Sequence, residues 1–373
     1  MQDYAEPVAD QSAHSVEAPA DVAVAMGIKS TGHLSYQEAR QSPCLSCTTS
    51  PCCTYLLLLD FALESLLDVD YAAYLLNFEG IVLGLGPDAK VDVYLNQPCG
   101  YLDVPTGLCT VHRTPTQPSI CSHYNDHSCG YRRRMTVDVD PVRPLMDRQR
   151  MAWYARQLTF DETRRVIAVP AWGDVQEAFL SMHLERHPAP TPPPDPVTEE
   201  WRALTLSKKS ANAKPPGTHR IADPVVSDPC QGCGAWCCKT LLFSRDRPSE
   251  VSQLDFFRYC VGFPGVEVGV ADDGWALIVR TTCRHLEDNR CSVFGLDERP
   301  LKCSYYDALK CKYRVHLGTP RPEEIVRVSA GQFAVLAEAV AFDETGRIVE
   351  LPSVKMLREL LEDAERARAD ALA

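Results

Sequence analysis

The chain has 373 residues, 24% of them charged and 45% hydrophobic, with a formal net charge of −12. That length accommodates about two ordinary domains, and the balance is that of a chain that buries a core. The acidic excess argues against a nucleic-acid partner or an anionic membrane surface, both of which demand a basic footprint.

Residues 1–40 are rich in Ala, Asp, Glu and Ser with weak periodicity and read as a disordered N-terminal segment. The opening Met1-Gln-Asp-Tyr-Ala-Glu has neither a basic region nor an apolar run of the kind that targets a membrane. The longest apolar run, Tyr55 to Leu59, is stopped by Asp60 and is far short of a span. The expected location is therefore the reducing cytoplasm, where 17 cysteines imply metal ligands or redox groups rather than a disulfide framework.

The first cysteine run holds Cys44, Cys47, Cys52 and Cys53, and the segment after it, Leu56 to Leu76, has the apolar spacing of a helix. Cys99, Cys109, Cys121 and Cys129 follow, then Phe160-Asp-Glu-Thr163 and a helical pattern from Trp172 to Arg186. His187-Pro-Ala-Pro-Thr-Pro-Pro-Pro-Asp-Pro196 supports neither a helix nor a sheet ladder, so 188–224 reads as a Pro-rich linker.

Beyond the linker the order repeats. Cys230, Cys233, Cys237 and Cys238 stand for the first run, and Cys283, Cys291, Cys303 and Cys311 for the second. Cys121 and Cys303 lie 182 positions apart, as do Cys109 and Cys291, and Cys129 and Cys311. The same offset carries Phe160-Asp-Glu-Thr163 onto Phe342-Asp-Glu-Thr345; upstream it drifts to 185, which lays Asp70 to Tyr74 over Asp255 to Tyr259. Trp275 to Val279 reads as a strand entered from the turn Asp272-Asp-Gly274, and Leu286 to Phe294 as a hairpin turning at Glu287 to Asn289. Thr345-Gly346 suggests a turn into a short strand, with Arg164 at the matching earlier position, and Ser353 to Arg368 a closing amphipathic helix. The expected fold is α+β: two tandem copies of a small cysteine-rich metal-binding domain, at 41–187 and 225–373.

Cys-x2-Cys pairs present two sulfurs to one centre, and adjacent cysteines are strained partners for a disulfide with each other. Eight thiols recurring in each copy point to thiolate ligation of a metal. No histidine recurs between the copies; His112, His123, His127 and His285 each lack a histidine counterpart. The donor set suits tetrahedral zinc and iron–sulfur clusters alike. Arg132 and Arg314, beside the last cysteines, are candidates to offset the anionic charge of such a site, while the cluster Arg132-Arg-Arg134 as a whole reads as a solvated one. The recurring carboxylates Asp161-Glu162 and Asp343-Glu344 read as solvated turns, and Cys260, which aligns with Leu75, as a packing residue.

The order Cys-x2-Cys-x3-Cys-Cys, Cys-x2-Leu, Cys-x-Val-Phe, Arg-Pro-x2-Cys resembles the YkgJ-type cysteine-cluster proteins. The second copy carries it at Cys230, Cys233, Cys237, Cys238, Cys283, Leu286, Cys291, Val293, Phe294, Arg299, Pro300 and Cys303. The first carries Cys44, Cys47, Cys52, Cys53, Cys99, Leu102, Cys109, Val111, Pro118 and Cys121, with one extra residue before the double cysteine, His112 for the aromatic and Gln117 for the arginine. The resemblance implies a zinc- or iron-chelating domain, and tilts the choice of cofactor towards an iron–sulfur cluster. The expected function is metal binding in each copy. The alternative is an iron–sulfur-dependent enzyme, an oxidoreductase or group transferase, with its site between the copies; no nucleotide-binding glycine loop supports it.

Overall fold

The computed structural model describes residues 50–112, 114, 116–122, 144–184, 234–296, 298–304, 306, 313 and 325–372. The segment 1–40, the linker 188–224, Arg132, Arg134, Arg314, His123 and His127 lie outside the described residues. The protein mixes helices with small antiparallel sheets, an α+β-type arrangement.

A short helix α1 (Pro51–Thr54) runs directly into strand β1 (Tyr55–Ala62). The helix expected from Leu56 therefore begins ten residues late, as α2 (Leu66–Leu75). Burial explains the difference. Along β1 Leu56 and Leu58 are buried while Leu57 is only half covered, a period of two that a pleated strand satisfies and a helix does not. Helix α2 starts where Ser65, in extended conformation, accepts a hydrogen bond from the Asp68 amide (3.3 Å).

Strands β2 (Ile81–Leu85) and β3 (Lys90–Asn96) follow, then the small hairpin β4 (Leu102–Asp103) and β5 (Leu108–Cys109), helix α3 (Ser119–Ser122) and strand β6 (Leu145–Met146). The first half closes with α4 (Arg148–Gln157), the hairpin β7 (Thr159–Phe160) and β8 (Val166–Ala168), and α5 (Trp172–Ser181). Its main sheet has the order β1-β3-β2-β6.

In the second half a 3₁₀ turn at Trp236–Cys238 leads into β9 (Thr240–Arg245). There follow α6 (Val251–Val261), β10 (Val266–Ala271), β11 (Trp275–Arg280), the hairpin β12 (Leu286–Glu287) and β13 (Arg290–Cys291), and α7 (Leu301–Ser304). Then come β14 (Ile325–Val328), α8 (Phe333–Glu338), the hairpin β15 (Ala341–Phe342) and β16 (Ile348–Glu350), and α9 (Val354–Leu372). Its sheet reads β9-β11-β10-β14, the order of the first half. The strand after Asp272-Asp-Gly274 and the Leu286 hairpin stand where the sequence placed them.

The apolar core does not stop at the boundary between halves. One continuous cluster joins Leu56, Leu75, Phe78 and Leu95 to Phe257, Phe263, Leu277 and Leu357. Backbone bonds cross with it: the Glu79 amide donates to the Thr282 carbonyl (3.0 Å), the Arg284 amide to the Asn77 carbonyl (2.8 Å) and the Gly100 amide to the Gly262 carbonyl (2.8 Å). The Thr281 hydroxyl donates to the Glu79 carbonyl at 2.6 Å.

The recurring carboxylates make turns. Asp161 Oδ1 accepts from the Thr163 amide, the Thr163 hydroxyl and the Arg165 amide, and Asp343 Oδ1 from the matching Thr345 and Arg347 groups. The tight turn puts Gly346 at φ 80° and Arg164 at φ 65°, so the arginine carries left-handed strain that the glycine avoids. Bonds from the Arg165 amide and Thr163 hydroxyl lower the Asp161 pKa from its ordinary 3.8, and those from the Thr345 hydroxyl and Arg347 amide do the same for Asp343. A depressed folded pKa gives support that is present above the unfolded value and is lost as the pH falls through the folded one. A carbon-detected NMR titration should find both carboxyls titrating below 3.8; values at or above it would remove the hydrogen-bond account of these turns.

Cys260, on α6, has no exposed surface and packs in the main core. Burial raises its thiol pKa, so it stays protonated and behaves as a small hydrophobe. Cys260→Ala should cost about 1 kcal/mol, at the low end for core truncation, and leave metal content unchanged. Loss of bound metal in that variant would show that Cys260 is a ligand.

Candidate metal centres

Cysteine placement in the two halves follows one backbone scheme. In the first, Ser50 takes a left-handed conformation (φ 38°) ahead of Pro51, and the Cys53 amide donates to the Ser50 carbonyl at 2.8 Å. That turn sets the Cys52 and Cys53 sulfurs side by side, 3.9 Å apart, well beyond a disulfide bond. The Cys99 amide donates to the Cys53 carbonyl (2.7 Å), bringing the next cysteine to the double one. Cys109 sits opposite Leu102 in the β4–β5 hairpin, whose turn is tied back by the Ser50 hydroxyl donating to the Gly107 carbonyl (3.1 Å). Cys121 lies on α3, its amide donating to the Pro118 carbonyl (2.9 Å).

The second half repeats each step. Ala235 is left-handed (φ 55°), the Cys238 amide donates to its carbonyl (2.9 Å), and the Cys237 and Cys238 sulfurs are 4.0 Å apart. The Cys283 amide donates to the Cys238 carbonyl at 2.7 Å. Cys291 sits opposite Leu286, across a turn in which Asp288 and Asn289 both have positive φ. The Cys303 amide donates to the Pro300 carbonyl at 2.9 Å.

The thiols feel one another. Cys52 is pushed up because its hydrogen bond with Cys53 favours the protonated thiol and because it is buried. Burial raises Cys99, and raises Cys121 to about 12 with help from Cys52, Cys99 and Asp255. In the second half the Cys238 thiol donates towards both Cys237 and Cys283, which lowers those two and raises Cys238 itself. Burial raises Cys291, and raises Cys303 to about 12, with Arg299 opposing the rise in both. Arg299 also lowers Cys237. Its guanidinium lies 4.3 Å from the centre of the Phe294 ring, and its Nε is buried with no hydrogen-bond partner among the described residues. The charge partner of these thiols among the described residues is thus an arginine of the Arg-Pro-x2-Cys motif.

Among the described residues, every cysteine is a free thiol, and no group of three or more His, Cys, Asp or Glu side chains is close enough to hold a metal ion. Of the expected ligands, Cys52, Cys53, Cys99, Cys109, Cys121, Cys237, Cys238, Cys283, Cys291 and Cys303 are described. Cys44, Cys47, Cys129, Cys230, Cys233 and Cys311 lie outside the described residues. His112 is exposed, in the turn that follows β5. By donor chemistry, mutually repelling soft thiols suit zinc or an iron–sulfur cluster and not the hard cations, which take oxygen ligands.

Two polar residues matter more than their sequence position suggested. Asp70, on α2, accepts from the Leu301 and Lys302 amides (both 2.9 Å), and Asp255, on α6, accepts from the Ile120 amide (2.7 Å). Each holds the start of the other half's cysteine-bearing helix. Their only advance signal was that they occupy matching positions in the repeat.

No protein-family model matches the chain. Neither a curated protein nor a solved structure matches it. Among the described residues no helix is long and apolar enough to cross a membrane.

Proposed function

We propose that the chain is a cytoplasmic metal-binding protein built from two tandem copies of a YkgJ-type cysteine-cluster unit, each holding an iron–sulfur cluster or zinc through thiolates. The observation that carries this reading is the recurrence, in both halves, of one backbone scheme: a double cysteine, a following cysteine whose amide donates to the carbonyl of the second, a hairpin cysteine and a cysteine on a short helix. Structural packing alone gives no reason to set half-buried thiols beside one another at matching positions in both halves. A cation reverses that penalty by stabilising the thiolates.

In the first copy the ligands are drawn from Cys44, Cys47, Cys52, Cys53, Cys99, Cys109, Cys121 and Cys129. In the second they come from Cys230, Cys233, Cys237, Cys238, Cys283, Cys291, Cys303 and Cys311. When bound, the metal supplies positive charge that holds these thiolates together. Arg299 offsets part of their negative charge in the second copy, where the first has Gln117.

Alkylation of each cysteine, followed by mass spectrometry, tests the reading. In protein purified without oxygen the cluster cysteines should be protected, and a strong chelator applied under reducing conditions should make them reactive. Equal reactivity before and after the chelator would overturn it.

A further inference from the structure

Beside the bonds within each half, others reach the thiols of one half from the opposite half. Around the first set, the Tyr259 hydroxyl donates to the Cys52 carbonyl (2.6 Å) and the Cys99 thiol donates to the Gly262 carbonyl (3.5 Å). Gly262 is packed so closely that a Cβ there would stand 3.5 Å from the Cys99 sulfur and 3.1 Å from the Tyr259 carbonyl oxygen. Asp255 holds the Ile120 amide beside Cys121. Around the second set, Cys283 forms an isolated antiparallel bridge with Phe78, and the adjoining Arg284 amide donates to the Asn77 carbonyl. Asp70 takes the Leu301 and Lys302 amides, one on each carboxylate oxygen, beside Cys303.

We infer that the two thiol sets are built reciprocally, with Asp70 a positioning residue for Cys303 and Asp255 a positioning residue for Cys121. The physical reason lies in the helices themselves. The leading amides of α3 and α7 have no acceptor within their own helix. A carboxylate accepting the N-terminal amides supplies the missing cap. Here the cap comes from the facing half, not from the residue before the helix. Loss of Asp70 or Asp255 should therefore disturb a thiol of the opposite half.

The inference rests on the metal reading only for its consequence in affinity, so the test has two separate parts. In the full-length, metal-free, reduced chain, Asp70→Ala should speed amide exchange at Leu301 and Lys302 about tenfold and leave Ile120 alone, the size expected for a lost side-chain cap. Asp255→Ala should do the reverse. In the second part zinc is titrated in while alkylation is followed at each cysteine. Asp70→Ala should raise the zinc concentration that protects Cys303 about tenfold with Cys121 unchanged, in line with the loss of a partner that orients a ligand.

Conservative variants separate positioning from general loosening. Asp255→Asn keeps the single acceptor that Ile120 uses and should restore Cys121. Asp70→Asn keeps one acceptor for two amides and should restore Cys303 only in part; it also decides the matter if Asp70→Ala does not fold. The proposal is overturned if Asp70→Ala affects its own half's Cys121 as much as Cys303, or changes neither. If zinc protects no cysteine in the unmodified chain, zinc is excluded as the bound metal, while the exchange measurements still decide the positioning.

Discussion

Phe263→Ala is expected to cost about 3–5 kcal/mol, the range for truncating a fully buried aromatic. Phe263 has no exposed surface and belongs to the core shared by the halves. It stands edge-on to Tyr259, with ring centres 5.2 Å apart, and Tyr259 in turn donates to the Cys52 carbonyl. The cavity therefore removes packing and also loosens a tie between the halves. Because one core runs through both, denaturant unfolding followed by tryptophan fluorescence and by circular dichroism should show a single transition, shifted to lower denaturant in the variant. Two transitions, of which only the second half's moved, would mean that the halves fold independently.

Cys283→Ser is expected to empty the second thiol set of metal while leaving the first filled. Cys283 is buried, receives the Cys238 thiol's hydrogen bond and anchors its backbone to the Cys238 carbonyl. Serine keeps the size but is a poor ligand for a thiophilic metal, and buries a hydroxyl where a sulfur stood. Metal per chain should fall by about half, with an added loss of stability because ligation contributes to folding. The sheets should survive, since Cys283 lies outside the named strands and the second sheet buries Leu241, Phe243, Val268, Leu277 and Val279. Undiminished metal in Cys283→Ser, with metal lost instead from Cys260→Ala, would show that the repeat misassigns the ligands.

How much of this was legible beforehand differs by element. Trp275 to Val279 was readable because a tight Asp-Asp-Gly turn precedes an unbroken apolar run, which suits a strand buried on both faces. The same kind of run misled at Leu56. Four consecutive leucines carry no period of their own, so the helical spacing read from Leu56 to Leu76 was extended over them, and only the pairing with β3 decided otherwise. The hairpin turn at Asp288 and Asn289 was visible in residue types that tolerate positive φ, whereas the left-handed Arg164 was not.

The candidate site was legible as a set of positions and not as an arrangement. Spacing revealed that Cys121 and Cys303 correspond, but nothing local revealed that each depends on an aspartate of the opposite half. The bond from Leu301 to Asp70 spans 231 positions, and a side chain that caps a distant helix leaves no mark in its own neighbourhood. Arg299 shows the same limit: its place in the motif was plain, but its action on Cys237, Cys291 and Cys303 follows only from the fold.

The central claim is that these thiols bind metal, and elemental analysis of the full chain purified under strictly anaerobic conditions tests it most directly. The expected result is a centre in each half: iron with matching acid-labile sulfide and a brown colour, or zinc in a colourless protein. A well-folded preparation holding neither iron nor zinc in stoichiometric amount, with all its cluster cysteines open to alkylation, would contradict it.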